Sequence, residues 1–297
     1  MNRNDFKKEF LSMRKREFFA CILFLAATVV LYSCGEKTST KIEAPLPGED
    51  TLAKIKRTGL LKWGADSSGG APYVFGDPKD VNHIIGFEVD MMEKIAAHLG
   101  LKTERVQAEW AKLKEDLKDK RTDIVLNGIE INDLNQSVVN FTQPYYKYEQ
   151  QLSVRAADKE KIKSLDDLKD KKVGILDGTE SGNVLKRAGF KDEQITIHPD
   201  SKTPYDNLKL KRIDGVVAES IIAAYYAGKD AEIFNHPATF APGKYGICVR
   251  KEQASDTLLA ELDRVLKLMK ENGELAAIYK QWNIMNDKQK ELGIVEK

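Results

Sequence analysis

Cysteine is scarce in these 297 residues, with three in all: Cys21, Cys34 and Cys248. Cys21 lies inside an N-terminal apolar run and Cys34 at its end. Cys248 is thus left alone, which excludes a disulfide framework as the source of stability. The four histidines, His83, His98, His198 and His236, are scattered, without metal-ligand spacing and without a nucleophilic triad. A phosphate loop, internal repeats, coiled-coil heptads and low-complexity tracts are also missing. Nor does one sign of charge prevail. Residues 1–33 hold six of the 47 basic and three of the 46 acidic side chains, so the chain beyond them carries a net charge of −2. That balance gives no reason to expect a nucleic-acid partner. The longest apolar run, Phe18–Leu31, falls short of the ~20 residues a membrane helix needs.

What is present at the N-terminus is ordered. Basic Arg14, Lys15 and Arg16 precede the apolar run, and Leu31-Tyr32-Ser33-Cys34 followed by Gly35 has the form that bacterial lipoprotein processing recognises. This predicts a signal peptide over residues 1–33 and lipid on Cys34, placing the protein outside the cytoplasm on a membrane tether. An ordinary secretory signal or a membrane anchor is the alternative. Residues 34–50 are polar, include Pro45, Pro47 and Gly48, and read as a flexible tether that reaches at most about 55 Å. The remaining stretch is long for one domain and comfortable for two lobes of about 100–150 residues.

Beyond the tether, short apolar runs alternate with helical patterns, as in βα units of a mainly parallel sheet. Strands are predicted at Leu60–Ala65, Thr103–Val106, Ile124–Asn127, Val173–Leu176, Ile195–Ile197 and Gly215–Ala218. Phe87–Leu99 reads as a helix stopped by Gly100, with Val89, Met92, Ile95, Ala96 and Leu99 at helical spacing. Shorter helices are expected over Trp110–Lys120, Glu180–Ala188, Pro204–Arg212 and Ile221–Ala227. Near the C-terminus Leu258, Leu259, Leu262, Val265, Leu266 and Met269 form an apolar stripe, broken at Gly273 before a helix ending near Trp282.

Several separated motifs occur in a specific order: Leu52-Ala53-Lys54-Ile55 with Gly59 and Gly64-Ala65-Asp66; Gly86-Phe87-Glu88-Val89-Asp90; Asp123-Ile124-Val125-Leu126-Asn127-Gly128; Phe141-Thr142-Gln143-Pro144-Tyr145-Tyr146; Lys172-Val173-Gly174-Ile175 into Gly178-Thr179; Asp214-Gly215-Val216-Val217; and Ile278-Tyr279 with Trp282. Over nearly all of residues 51–283 the chain resembles the extracytoplasmic solute-binding proteins of amino-acid-type ABC importers, bacterial family 3. The resemblance implies the two-lobed α/β periplasmic-binding-protein fold of type II, its lobes joined by two crossing strands near Tyr148–Val154 and Ala241–Val249. Residues 51–148 with 243–297 would form lobe 1 and residues 149–242 lobe 2. It also implies a small polar solute, an ABC permease as partner, and no cofactor. A monomer without enzymatic activity is expected.

Ligands in open parallel sheets gather beyond the carboxyl ends of strands, and Asp66, Asn127-Gly128, Asp177-Gly178-Thr179 and Glu219 stand just past predicted strands. The family's ligand contacts map onto Asp66 as the first strand's terminal acid, Trp110 as an aromatic wall, Gly128 and Glu130 as a backbone-and-hydroxyl pair, Asn135 at a carboxylate-gripping arginine, Thr179 as a hydroxyl at a helix start, and Glu219 as an ammonium-binding acid. Two positions depart in one electrostatic direction, since the hydroxyl has become Glu130 and the arginine Asn135. Glu180 also replaces a small or hydroxyl residue. Asparagine supplies neither the charge nor the bidentate fork of arginine. With Asp66, Glu130, Glu180 and Glu219 near Trp110, the cleft is expected to suit a cation or amine.

Plainer roles stay open at this level. Asp66 could serve its own loop, Glu130 could face solvent and Trp110 could be core. Asn135 could still donate to a carboxylate at a helix N-terminus. Loop Ser67–Ala71 lacks the aromatic residue some relatives carry there, for which Tyr73 or Phe75 could substitute. The alternatives in function are a dehydratase of the same fold acting on cyclic acids, or a ligand-sensing receptor subunit.

Overall fold

The computed structural model describes residues 46–297 except Gly69 and Lys229. The expected signal segment, Cys34 and the tether through Pro45 lie outside the described residues. The chain begins with α1 (Thr51–Thr58), whose start is fixed by the Asp50 carboxylate accepting from Ala53 N at 2.7 Å and whose end is Gly59 in the left-handed region. There follow β1 (Leu60–Ala65), the hairpin β2 (Phe75–Asp77) and β3 (Asp80–Ile85), α2 (Phe87–Leu99) and β4 (Lys102–Gln107). A 3₁₀ turn at Trp110–Lys112 runs into α3 (Leu113–Lys118), then β5 (Ile124–Val125), α4 (Asp133–Val138), β6 (Val139–Phe141) and β7 (Tyr146–Arg155). The next stretch comprises β8 (Val173–Leu176), α5 (Glu180–Arg187), β9 (Ile195–His198), α6 (Thr203–Lys209), β10 (Gly215–Glu219), α7 (Ser220–Ala227) and β11 (Ile233–Tyr245). The chain closes with β12 (Cys248–Arg250), α8 (Asp256–Glu271), α9 (Glu274–Gln281) and α10 (Asp287–Lys290).

Two five-stranded sheets result, ordered β4-β1-β5-β12-β6 and β11-β7-β10-β8-β9. Each has a parallel half made by βα units and an antiparallel half. In the first, Trp63 lies opposite Ile124 in parallel register and Val249 opposite Ile124 in antiparallel register. In the second, β9, β8 and β10 run parallel, and Glu219 at the end of β10 faces Gln150 of antiparallel β7. The long β7 and β11 pair from Arg155 and Ile233 to Tyr146 and Tyr245, with irregularities between Asn235 and Thr239 and between Phe240 and Gly243. They carry the chain out to the second sheet and back, so β12, α8 and α9 rejoin the first.

Burial explains these elements. Leu258, Leu262, Val265, Leu266 and Met269 of α8 are fully buried against the first body, each such side chain contributing about 1.5–3 kcal/mol. Leu259 of the same expected stripe is only partly buried. The second sheet has its own cluster, including Leu152, Val154, Val173, Ile175, Leu185 and Val217. Gly86, which starts α2 at φ 147°, is required sterically: a Cβ there would lie 1.8 Å from Tyr73 O. Trp110–Lys120 proves to be a 3₁₀ turn and a short helix rather than one helix, and β5 stops at Val125, short of the expected Asn127. Leu126 N still donates to Gly64 O at 3.3 Å, but Asn127 instead accepts from Asp66 N through its side chain and from the Trp110 indole through its backbone carbonyl.

Candidate ligand-binding site

A cavity of about 510 Å³ lies where β1, β5, β8 and β10 present their carboxyl ends. That volume falls within the range of small-molecule sites. Asp66, Trp110, Asn127, Gly128 and Glu130 line it from the side of the first sheet, Asp177, Gly178, Thr179 and Glu219 from the side of the second. Tyr245, at the end of crossing strand β11, and Tyr73 complete the floor, their hydroxyls bonded to each other at 2.8 Å. The two sides touch. A Cβ on Gly178 would come within 2.9 Å of Trp110 Cζ3, and Ala71 N donates to Tyr226 Oη at 3.2 Å.

Each first-sheet residue is held by neighbours. The Asp66 carboxylate folds its own loop: Oδ1 accepts from Ser68 N at 2.8 Å, from the Ser68 hydroxyl, and from Gln107 Nε2 at 3.0 Å, while Oδ2 accepts from Trp110 N at 2.9 Å. It therefore lines the cavity with its acceptors already engaged. Trp110 is fixed further by its indole Nε1, which donates to Asn127 O at 3.2 Å. Gly128 N donates to Glu88 Oε1 at 2.8 Å, and Glu88 also accepts from the Tyr145 hydroxyl. Glu88 is fully buried, which pushes its carboxyl up to about 7.

Glu130 and Glu219 are the electrostatic centre. Both are buried, at 5 % and 4 % exposure. Burial, and for Glu219 then the repulsion of Glu130, pushes Glu219 up to about 8. Glu130 rises to about 7 because burial outweighs the bonds it accepts from Glu180 N and Tyr148. Buried carboxyls set near each other raise one another's pKa in this way. Among the described lining residues no lysine, arginine or histidine occurs, against Asp66, Glu109, Glu130, Asp177 and Glu219.

Two expected site residues do not line the cavity. Asn135 is buried behind Glu130, its Nδ2 donating to Glu130 O at 2.8 Å and its Oδ1 accepting from Lys114 Nζ at 2.6 Å. The Glu180 carboxylate turns outward to Arg187 at 2.5 Å and Asn183 at 2.9 Å, and only its backbone N reaches the cleft. Sequence reasoning passed over Tyr148 and Tyr245, stacked at 4.5 Å, although both fall in the expected crossing segments. It also passed over the support given by Glu88, which no spacing rule would flag. Among the described residues no cluster of His, Cys, Asp and Glu could hold a metal, and Cys248 is free and buried.

Two α/β bodies joined by crossing strands around a cavity at their strand ends define a two-lobed binding-protein fold. The model of bacterial extracellular solute-binding proteins, family 3, matches residues 61–285, and the chain belongs to that family. It is 28 % identical over 235 residues to the L-cystine-binding protein TcyJ of Escherichia coli K12, covering 79 % of this chain and 86 % of the relative. To the arginine-binding extracellular protein ArtP of Bacillus subtilis it is 30 % identical, over 69 % of this chain and 80 % of ArtP. Among solved structures, an ancestral arginine-binding protein bound to arginine matches with a TM-score of 0.67 at 30 % identity, covering 75 % and 98 % of the two chains. The ancestral amino acid-binding protein AncCDT-1, a precursor of cyclohexadienyl dehydratase, matches with a TM-score of 0.71 at 29 % identity, covering 78 % and 99 %.

Proposed function

We propose that this protein captures a small cationic or amine-bearing solute by closure of its two halves and delivers it to an ABC importer, acting as a monomer held to a membrane through lipid on Cys34. One observation carries the choice of ligand: the cavity wall has five acidic residues and no basic one among its described members. A cation there would be drawn to the buried carboxyls of Glu130 and Glu219, which repel each other, and the Trp110 face adds roughly 0.5–2 kcal/mol. The relatives named for arginine favour the same class of solute.

A binder rather than an enzyme is the better reading. Dehydration of a cyclic acid needs a cationic grip on the substrate carboxylate together with an acid/base group, and the residue at the gripping position, Asn135, is committed to Glu130 and Lys114. A thermal-shift screen of amino acids, amines and polyamines, followed by calorimetry, tests the assignment. A ligand at 100 times its Kd adds about 2.7 kcal/mol. Cationic solutes should shift the melt and leave unchanged in composition. Selective uptake of an anionic or neutral solute would overturn the ligand assignment, and product formation would overturn the binder. For the anchor, mass spectrometry of the N-terminal peptide of the protein from membranes should show a diacylglyceryl group on Cys34, and an unmodified Cys34 there would refute lipid attachment.

A further inference from the structure

Four donors beside this cavity that could grip a solute carboxylate are spent on the protein's own acceptors. Gly128 N is taken by Glu88 at 2.8 Å, the Thr179 hydroxyl by Leu176 O at 2.9 Å, and Trp110 N by Asp66 at 2.9 Å. Glu180 N, at the N-terminus of α5, donates to Glu130 Oε1 at 3.2 Å. A helix N-terminus favours an anion, and here a side-chain carboxylate from the opposite half fills that place. Lys114 is tied to Asn135 at 2.6 Å, lies 5.6 Å from the Trp110 ring centroid and is not part of the cavity wall.

We infer that Glu130 is a built-in substitute for a ligand carboxylate, so that the cavity selects amines or guanidines that lack an α-carboxylate over the amino acids that carry one. The inference rests on the cationic-solute reading and narrows it. An amino acid entering the closed cleft would set its carboxylate against Glu130 with no unspent partner among these donors. The decarboxylated amine keeps its cationic end for Glu219 and presents hydrogen where the amino acid presents charge. Like charges brought together in a buried site disfavour the wrong partner strongly.

Calorimetry on the full-length protein with matched pairs tests this: agmatine against arginine, cadaverine against lysine, putrescine against ornithine, histamine against histidine. At least one amine should bind tenfold or more tightly than its amino acid. In Glu130→Ser, which removes the carboxylate and frees Glu180 N, that preference should fall at least tenfold, and Glu130→Gln, of the same shape, should shift it in the same direction. An amino acid binding more tightly than its amine, or an unchanged ratio in both variants, would overturn the inference while leaving the cationic reading intact. Failure of every pair alongside binding of a neutral or anionic solute would overturn both.

Discussion

Replacing Glu219 by glutamine should stabilise the ligand-free protein and weaken cation binding, two effects of opposite sign from one change. The Glu219 carboxyl is 4 % exposed and is pushed up to about 8 by burial and by Glu130. Because this value exceeds the ordinary 4.5, the folded chain holds the proton more tightly than the unfolded chain does between the two values. Stability linked to this group is therefore full below 4.5 and is lost as pH rises through about 8. At about 1.4 kcal/mol per pH unit, and with the relaxation that buried acids find, the loss is of the order of a few kcal/mol. For a chain of this size that corresponds to roughly 5–10 °C in Tm. Thermal melts at pH 5 and pH 9 should show Glu219→Gln close to the parent in acid and several degrees above it in alkali. Removing one partner of a buried charged pair costs about 2–5 kcal/mol, or roughly 30- to 5000-fold in affinity for a cation. A variant less stable than the parent at pH 9, with affinity changed less than threefold, would refute the reasoning.

The pH dependence of binding follows from the same pair: affinity for a cation should climb about tenfold per pH unit between about 7 and about 8 and level off above, as calorimetry across pH would record. Gly178→Ala places a Cβ 2.9 Å from Trp110 Cζ3 at a φ of +71°, so it should lower ligand affinity at least tenfold while costing folding about 1–2 kcal/mol, read by calorimetry and thermal melts. Glu88→Ala leaves the buried Tyr145 hydroxyl without its acceptor and Gly128 N with only the Tyr145 oxygen at 3.3 Å, and should cost about 1–3 kcal/mol, measured by urea unfolding. Glu88→Gln keeps an acceptor and should cost far less.

The parallel strands and the helices that follow them were legible because their apolar runs and caps are local signals. β1, β8 and α2 fall at the expected residues. The hairpin β2–β3 and the short β6 and β12 were not: β2, β6 and β12 have three residues each, too few for alternation, β3 is mostly exposed, and β12 owes its pairing to distant partners such as Val249 with Asn140. Strand-end logic reached Asp66, Gly128, Thr179 and Glu219 because position along a parallel strand decides what faces the cavity. It could not decide where a carboxylate points. Glu130 turns into the cleft because Asn135 and Glu180 N hold it there, while Glu180, beside Thr179, is drawn outward by Arg187. Asp66 faces the cavity yet serves its loop, a distinction made by Ser68 and Gln107.

A crystal structure of the protein with the tightest-binding solute from the screen tests the central claim most directly. The account predicts an ammonium or guanidinium nitrogen at about 2.7–3.2 Å from the Glu219 carboxylate, with the rest of the solute against the Trp110 ring and Glu130 still accepting from Glu180 N. A solute whose carboxylate occupies that corner, or one bound away from this cavity, would contradict it.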